Sequence, residues 1–481
     1  MFSYYGMRAL LMLYLTKHFL FGDREAGLIY GSYGSLVYAT PVIGGLIADR
    51  FLGHRKAVAF GAFLLVCGHF GMAFEGPPST LAADGSVQRA ALYEQIFYLS
   101  LSFIIVGVGF LKANISTIVG QLYGDNDPRR DGGFTIFYMG INVGAFTATL
   151  ACAWLGETYG WRYGFGLAGI GMLFGLLVFH LYRIHLLGVG EPPSPDWLST
   201  RVSGLSRERW IYIGGVAAVF LIWQLIQNTA ELGGMLLGFG AVILAWGIWF
   251  ALRRCTEVER DRMLVMLFLI FMSVVFWALF EQAGSSLTLF TDRNIAMGNY
   301  FTAGMFQSLN PFYIIVLAPV FAWAWVRLSA RGLEPTTPAK FGLGILQVGL
   351  GFAVLVAGAS FAGPDGKVAV IWLALMYLLH TTGELCLSPV GLSMITKLSV
   401  KTIAALMMGI WFLSSSFAHY LAGMIAAAMA IQSGGTEIIP AAESLIIYTD
   451  VFAKLAMLAV VLGVVVLALS PVLHKRMHGV H

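Results

Sequence analysis

Charge is what this sequence most lacks. Of its 481 residues only 11% are Asp, Glu, Lys or Arg, while 58% are hydrophobic; an ordinary soluble domain carries about 25% charged residues. With a mean hydropathy of +0.79, the chain has too little polar surface to coat a soluble body of 52.2 kDa. A cytosolic enzyme, a secreted domain and a disordered scaffold are excluded, and a polytopic membrane protein is left. Cysteine is scarce too. Cys67, Cys152, Cys255 and Cys386 lie far apart, three of them in apolar runs, and form neither a disulfide frame nor a metal-ligand spacing. No His-Glu-x-x-His, no Gly-x-Ser-x-Gly and no paired intramembrane Asp occurs, so nothing supplies the nucleophile or metal of a membrane enzyme. The first apolar run has no basic leader and no small-residue cleavage site, unlike a signal peptide. Long alternating strands are absent, which argues against a β-barrel. The net charge of +4 points to no nucleic acid partner.

What is abundant is apolar runs of the length that crosses a bilayer, about 20 residues. They predict fourteen spans, at 2–20, 26–48, 57–75, 93–120, 134–155, 161–185, 210–228, 232–252, 263–290, 300–326, 340–362, 368–396, 402–431 and 445–473. One set of connecting loops carries 20 of the 29 Lys and Arg residues and the opposite set 6, with Arg8, Lys112 and Lys454 inside spans. That bias puts the C-terminus in the cytoplasm. The one long connection rich in Pro, Ser and Arg is 187–209. The expected parse is a six-span bundle at 1–186, a cytoplasmic linker at 187–209, two extra spans at 210–252 and a second six-span bundle at 253–481. Two six-span halves around a central cavity is the layout of many secondary transporters.

Four ionisable residues stand at bilayer depth, where each costs about 2.5–3.5 kcal/mol on insertion scales. Arg8 and Lys112 lie in the first half, Glu281 and Glu384 in the second. Buried charges are tolerated when paired or facing water. Their segregation by half favours a wet cavity, positive on one wall and negative on the other, over fixed structural salt bridges. Helical spacing gathers polar company around them: Tyr4 and Tyr5 one turn before Arg8, Trp277 and Ser285 four residues either side of Glu281, and His380, Glu384 and Ser388 as a stripe at i, i+4 and i+8. Asn142 and Asn310 are lone amides within spans, the latter before Pro311. Taken singly these have plain readings: a Tyr or Trp as packing or interfacial belt, an Asn as helix–helix glue, His380 as a satisfied core histidine. Asp450 and Lys454 read as a local ion pair.

A wall of cations takes a carboxylate, Arg with a bidentate fork. A wall of carboxylates takes an ammonium, Asn side chains satisfy main-chain amides, and aromatics line apolar pockets. A small zwitterion with peptide bonds and variable side chains fits all of these. A sugar would not need the charges, and a single ion would not need the aromatics.

At these residues the chain resembles a known family. Gly44 to Lys56, GGLIADRFLGHRK, resembles the loop between the second and third spans of major facilitator transporters, in which Asp49, Arg50 and Arg55 would lock neighbouring helix ends on the cytoplasmic side. FSYYGMRALL from Phe2, GFLKAN from Gly109, FYMGINVGA from Phe137, FWALFEQAGSS from Phe276, FQSLNP from Phe306 and GELCLSPVGLS from Gly383 together resemble the proton-dependent oligopeptide transporters of bacterial type, from end to end of the chain. The resemblance implies the major facilitator fold with two extra central helices. It implies import of di- and tripeptides by proton symport through alternating access in the plasma (inner) membrane, with no cofactor and no metal. Carried over residue by residue, Tyr4, Tyr5, Arg8, Tyr38 and Lys112 resemble the groups that receive the peptide carboxylate and backbone. Asn142 and Asn310 resemble backbone-amide contacts. Glu384, with Ser388 nearby, resembles the ammonium holder, and Trp411 a pocket-gating aromatic. Arg8 with Glu281, and Lys112 with Glu384, resemble the exchanging salt bridges of the outer and inner gates.

Two departures stand out. The family has Pro after the lysine of its FLKPN motif, where this chain has Ala113, and its first span carries a Glu-x-x-Glu-Arg motif directly before FSYYG, where this chain has only Met1. The first span is about 30 Å long at 1.5 Å per residue, barely a crossing. The expectation is that the reading frame continues upstream and encodes that motif, and that a chain starting at Met1 concentrates peptide poorly. Two alternatives remain open. One is a facilitator for another small anion or zwitterion, against which Glu384 speaks, since a pure anion carrier gains nothing from a cavity carboxylate. The other is a peptide-binding membrane sensor, which long soluble extensions would favour.

Overall fold

The computed structural model describes residues 1–123, 127, 129–430 and 440–480, excluding the side chains of 388–390, 392, 393, 401 and 405. Fourteen long helices run through them: α1 Phe2–Lys17, α2 Asp23–Ile47, α3 His54–Met72, α4 Ala91–Gln121, α5 Arg130–Tyr159, α6 Trp161–Leu181, α7 Arg207–Gln227, α8 Thr229–Arg254, α9 Glu257–Phe280, α10 Leu309–Ser329, α11 Thr337–Ala359, α12 Val370–Leu398, α13 Ala404–Ala428 and α14 Ala441–Arg476. The expected all-helical polytopic architecture holds, with each helix overlapping one expected span. Among the described residues, twelve stretches are long and apolar enough to cross a membrane. The two helices outside that dozen are α1, of 16 residues, and α3, whose first turn is His54, Arg55 and Lys56.

Helix ends follow local chemistry. Thr256 and Glu259 form a reciprocal capping box at the start of α9, and Ser206 accepts from the Arg209 amide at the start of α7. Arg253 and Arg254 close α8, and His474, Lys475 and Arg476 close α14, complementing the negative end of each helix dipole. Among the described residues, strand structure is limited to three pairings of two-residue strands outside the helices, such as Thr80–Leu81 with Val87–Gln88.

The chain forms two compact units, residues 1–21 with 32–232, and 22–31 with 233–481. In the first, α1 packs on α5 and α6, α3 on α4 and α6, and α7 on α4. In the second, α11 packs on α14 and α12, α9 on α13, and α10 on α12. Of the two extra helices, α7 thus belongs to the first unit and α8 to the second. The opening turns of α2 belong to the second unit because Gly27 and Gly31, spaced as GxxxG, let its backbone lie directly on α13. A Cβ at Gly31 would stand 2.6 Å from the Gly423 Cα.

The linker 187–209 is built onto the first unit. It contains a short helix, Pro195–Ser199, and a hairpin pairing Arg201–Val202 with Leu205–Ser206. Trp197 stacks on Phe51 at 5.1 Å between ring centroids, and Leu198 is buried. Gly53 adopts φ +77° with the backbone of Glu191 and Pro192 pressed against it, a position where a side chain would have no room. The Asp49–Arg55 motif serves this docking. Arg55 pairs with Glu191 and its amide donates to the Gly190 carbonyl at 2.8 Å, His54 lies 3.4 Å from Asp49, and Arg50 is exposed.

Candidate substrate and proton site

In the first unit α1 carries Tyr4, Tyr5 and Arg8 on successive turns, α2 carries Tyr38, and α4 carries Lys112. The structure brings these five together. The Lys112 ammonium stands 3.4 Å from the Tyr38 ring centroid, a cation–π contact that holds the amine. Tyr4 is buried, meets Tyr5 edge-on at 5.3 Å, and lies within electrostatic reach of Arg8, Tyr38 and Tyr33. Tyr33 had not been singled out; its spacing of three from Tyr30 on α2 was the available signal. Asn142 is buried on α5, and its amide nitrogen donates to the Tyr138 carbonyl of its own helix at 3.0 Å. Ala113 has a structural consequence: α4 runs unbroken through it, and its carbonyl accepts from Ser116 and Thr117.

In the second unit the stripe on α12 divides by role. His380 is a core histidine, its Nε2 3.2 Å from the Val348 carbonyl and its ring against Phe352 and Phe280. Glu384, 8% exposed, accepts a hydrogen bond from Asn310 Nδ2 at 2.9 Å, and the same nitrogen lies 3.1 Å from Thr381 Oγ1. Asn310 is therefore a clamp on the carboxylate. The proline after it does not kink a span: Pro311 sits in the first turn of α10, where a missing N–H costs little, and a 3₁₀ segment at Ala303–Ser308 precedes the helix. The Ser388 side chain lies outside the described residues. Trp411, half-buried on α13, lays its ring on Gly391, where a Cβ would stand 2.5 Å from its Cη2 atom. Lys454 and Asp450 form the expected local pair at 2.6 Å.

Span nine breaks at its acidic residue. Helix α9 ends at Phe280, Glu281–Gly284 form a 3₁₀ turn, Ser285 leaves helical geometry, and a second helix runs Ser286–Asn294. The expected continuous span is in fact two helices. Broken helices expose backbone groups beside transporter sites. Glu281 is 4% exposed, and its Oε1 stands 3.4 Å from His419 Nε2 on α13. Gln282 pins the turn: its amide donates to the carbonyls of Ala278 at 3.0 Å and Ala422 at 3.1 Å, while its oxygen accepts from Ser286 at 2.7 Å. Of the two residues expected to flank Glu281, Ser285 is buried at the break and Trp277 packs edge-on against Phe276 and Phe280. His419 and Gln282 escaped the sequence reading.

A second ion pair was also unforeseen. Asp23, at the start of α2, holds Arg293 through two hydrogen bonds of 2.5 and 2.7 Å, and Arg293 also donates to the Tyr448 hydroxyl at 3.0 Å. Lys367 donates to the Arg293 carbonyl at 2.7 Å, so one arginine ties three segments of the second unit. The two intramembrane cations, Arg8 and Lys112, fall in the first unit and the two carboxylates, Glu281 and Glu384, in the second.

Fourteen long helices with segregated intramembrane charges define a multi-span membrane transporter of major facilitator type. A sequence profile described as the POT family matches residues 55–439, and the chain belongs to that family. It is 37% identical to the uncharacterized transporter YclF of Bacillus subtilis, over 100% of this chain and 92% of that one. It is 36% identical to the peptide transporter YePEPT of Yersinia enterocolitica, over 88% and 84% of the two chains. Among solved structures, a peptide transporter POT in complex with alafosfalin superposes with a TM-score of 0.81 at 36% identity, covering 99% of this chain and 93% of that one. A POT family transporter in complex with 5-aminolevulinic acid gives a TM-score of 0.78 at 30% identity, covering 98% and 94%.

Proposed function

We propose that this chain imports di- and tripeptides by proton symport through alternating access. The observation that carries the reading is the gathering of opposite charges in separate units. The first unit gathers Arg8, Lys112 and three tyrosines, donors for a carboxylate, and the second presents Glu384 held by Asn310, an acceptor for an ammonium. Each half-site alone would suit a simple ion; the two together suit a zwitterion. Membership in the POT family and the peptide transporters among its relatives support the same substrate class. In this reading Asn142 and Asn310 meet the peptide backbone, Trp411 closes over the side-chain pocket, and Ser388 assists Glu384. Arg8 pairs with Glu281 at the outer gate, and Lys112 with Glu384 at the inner gate. The chain resides in the inner membrane, its C-terminus and linker in the cytoplasm.

A second reading, a carrier for small zwitterions that are not peptides, draws on the relative bound to 5-aminolevulinic acid, which like a dipeptide carries an amine and a carboxylate. Uptake of labelled dialanine into proteoliposomes, with and without an imposed proton gradient and in competition with unlabelled 5-aminolevulinic acid, separates the two. Gradient-driven accumulation of dialanine supports peptide symport. No accumulation of dialanine, with gradient-driven accumulation of labelled 5-aminolevulinic acid run in parallel, would support the second reading.

A further inference from the structure

His419 is as buried as Glu281, and the geometry of its ring fixes what its Nδ1 does. Nδ1 lies 2.8 Å from the carbonyl oxygen of Ser415, one turn back on α13. A carbonyl only accepts, so Nδ1 carries a proton and donates it. In a neutral imidazole the other nitrogen, Nε2, then holds a lone pair. That nitrogen stands 3.4 Å from a carboxyl oxygen of Glu281, an ion-pair distance without a formed hydrogen bond, with both side chains at most 6% exposed. An unprotonated nitrogen this close to an ionised carboxylate in so dry a place is unfavourable, whereas one proton on the pair makes the contact attractive, as imidazolium beside carboxylate or imidazole beside carboxylic acid.

The surrounding elements hold this contact in place. Gln282, next to Glu281, donates to the Ala422 carbonyl three residues past His419, fixing the 3₁₀ turn to α13. Among the described residues of the second unit, the other ionisable groups on the elements packed here are distributed as follows. Glu384 on α12 is near enough for its charge to be felt at Glu281. His380 on the same helix is committed to Val348, and Tyr420 adjoins His419 on α13. Asp292 and Arg293 lie two turns beyond the break, and the charged residues of α9 from Glu257 to Arg262 are at its far end. On the opening turns of α2, Asp23 is held by Arg293, with Arg24 and Glu25 beside it. Arg8, the gate partner that the resemblance assigns to Glu281, belongs to the first unit.

We propose that Glu281 and His419 hold one proton in common, and that His419 is a proton-holding residue of the coupling site. This deepens the proton-symport reading and rests on it. The shared proton gives the carboxylate a partner inside its own unit. When Glu281 is drawn to a cation, the proton stays on His419 as imidazolium; when the cation leaves, it returns to Glu281. No co-reactant is needed, since one proton moves between an oxygen and a nitrogen and the charge of the pair is conserved. A lone carboxyl at this position would have to take its proton from water in a buried site. The pair can instead load on whichever side opens to water and keep the proton through the switch.

The test is His419→Gln, which keeps a polar side chain beside Glu281 but cannot titrate. Parent and variant are reconstituted in proteoliposomes and compared for dialanine counterflow without a gradient, accumulation under an imposed pH gradient, and the pH profile of the initial rate. The expected result is counterflow within about twofold of the parent, accumulation reduced about tenfold, and a profile moved by about one pH unit, which is a tenfold change in proton affinity. Glu281→Gln in the same assay loses accumulation, and adding His419→Gln to it changes nothing further, because the shared site is already gone. An unchanged profile with parental accumulation in His419→Gln would overturn the proposal, as would additive losses in the double variant. If the Gln variant does not reach the membrane folded, His419→Asn takes its place on the same criteria. A parent protein that shows no gradient-driven accumulation would remove the symport reading and this inference together, whereas a coupled parent with an indifferent His419 removes only the inference.

Discussion

Replacing Glu384 by glutamine tests the ammonium site at the level of a single charge. Glu384 is 8% exposed and accepts from Asn310 at 2.9 Å. The amide of glutamine keeps an oxygen of similar size in reach of Asn310, so the clamp and the packing survive and chiefly the charge is lost. Truncating one partner of a buried, hydrogen-bonded charge pair costs about 2–5 kcal/mol. Because the substituted amide still accepts, the lower half of that range applies, about 2–3 kcal/mol, or about 30- to 150-fold in affinity at 1.4 kcal/mol per factor of ten. The assay is competition of labelled dialanine binding by two unlabelled ligands, dialanine itself and N-acetyl-dialanine, which has the same carboxylate and peptide bond but no ammonium. In Glu384→Gln the free dipeptide should weaken by the stated factor. The acetylated ligand, already weak, should lose less than about threefold, since it has no charge for Glu384 to hold. Equal weakening of both ligands would mean that Glu384 supports the pocket rather than the ammonium. Parental affinity for the free dipeptide would refute the zwitterion clamp outright.

Three further outcomes follow from the same structure. Asp23→Asn leaves Arg293 part-buried without the opposite charge and with one fewer of its three side-chain acceptors, so the protein should lose about 1–3 kcal/mol of stability, below the 3–5 kcal/mol of a fully buried pair; thermal melts in detergent read this, and exchanging the two as Asp23→Arg with Arg293→Asp should recover most of it. Gly31→Val drives a side chain into the α13 backbone 2.6 Å away and should cost about 1–3 kcal/mol, whereas Gly45→Ala meets only the Ala113 methyl at 3.9 Å and should be neutral or gain up to about 1 kcal/mol in helix propensity. Equal melts for the two glycine variants would contradict the close crossing. Burial pushes the Cys255 thiol up from its ordinary range, with the Glu259 carboxylate adding to it, so maleimide labelling of this loop cysteine should be slow at neutral pH and rise about tenfold per pH unit above it; labelling by an impermeant reagent only after the cytoplasmic face is opened would support the proposed orientation, and labelling of intact cells would reverse it.

The fold was legible because the bilayer writes itself into sequence: a span needs about 20 apolar residues, and few arrangements other than a helix satisfy their backbone there. Each of the fourteen long helices accordingly overlaps an expected span. The intramembrane charges were legible for the complementary reason, since an ionisable residue in an apolar run is conspicuous whatever it contacts. What stayed hidden was which groups meet. Asn310 reaches Glu384 across 74 residues and Arg293 reaches Asp23 across 270, and no periodicity along one helix encodes either pairing. The linker looked like a loose connection, rich in Pro and Ser, yet Trp197 and Leu198 within it are apolar anchors that dock it onto the first unit.

The two buried histidines of the second unit show where such reading fails and why. His380 and His419 both stand in apolar helices, and both offer a plain interpretation as core residues. His380 fits it, with a carbonyl for one nitrogen and aromatic rings around it. His419 also finds a carbonyl, but its other nitrogen lies 3.4 Å from a carboxyl oxygen. The difference is set by the break in span nine. An unbroken helix through Phe280 to Ser286 would carry Glu281 onward at 100° per residue. The 3₁₀ turn and the departure at Ser285 interrupt that rotation, and the bond from Gln282 to Ala422 fixes the turn against α13. The signal was present as Gln-Ala-Gly-Ser-Ser, a run in the middle of a span that ends on Gly and two Ser, weaker helix formers than the apolar residues around them. A span whose propensity fails beside its one acidic residue is therefore worth reading as two helices, with the search for the acid's partner directed at the helix its turn is bonded to.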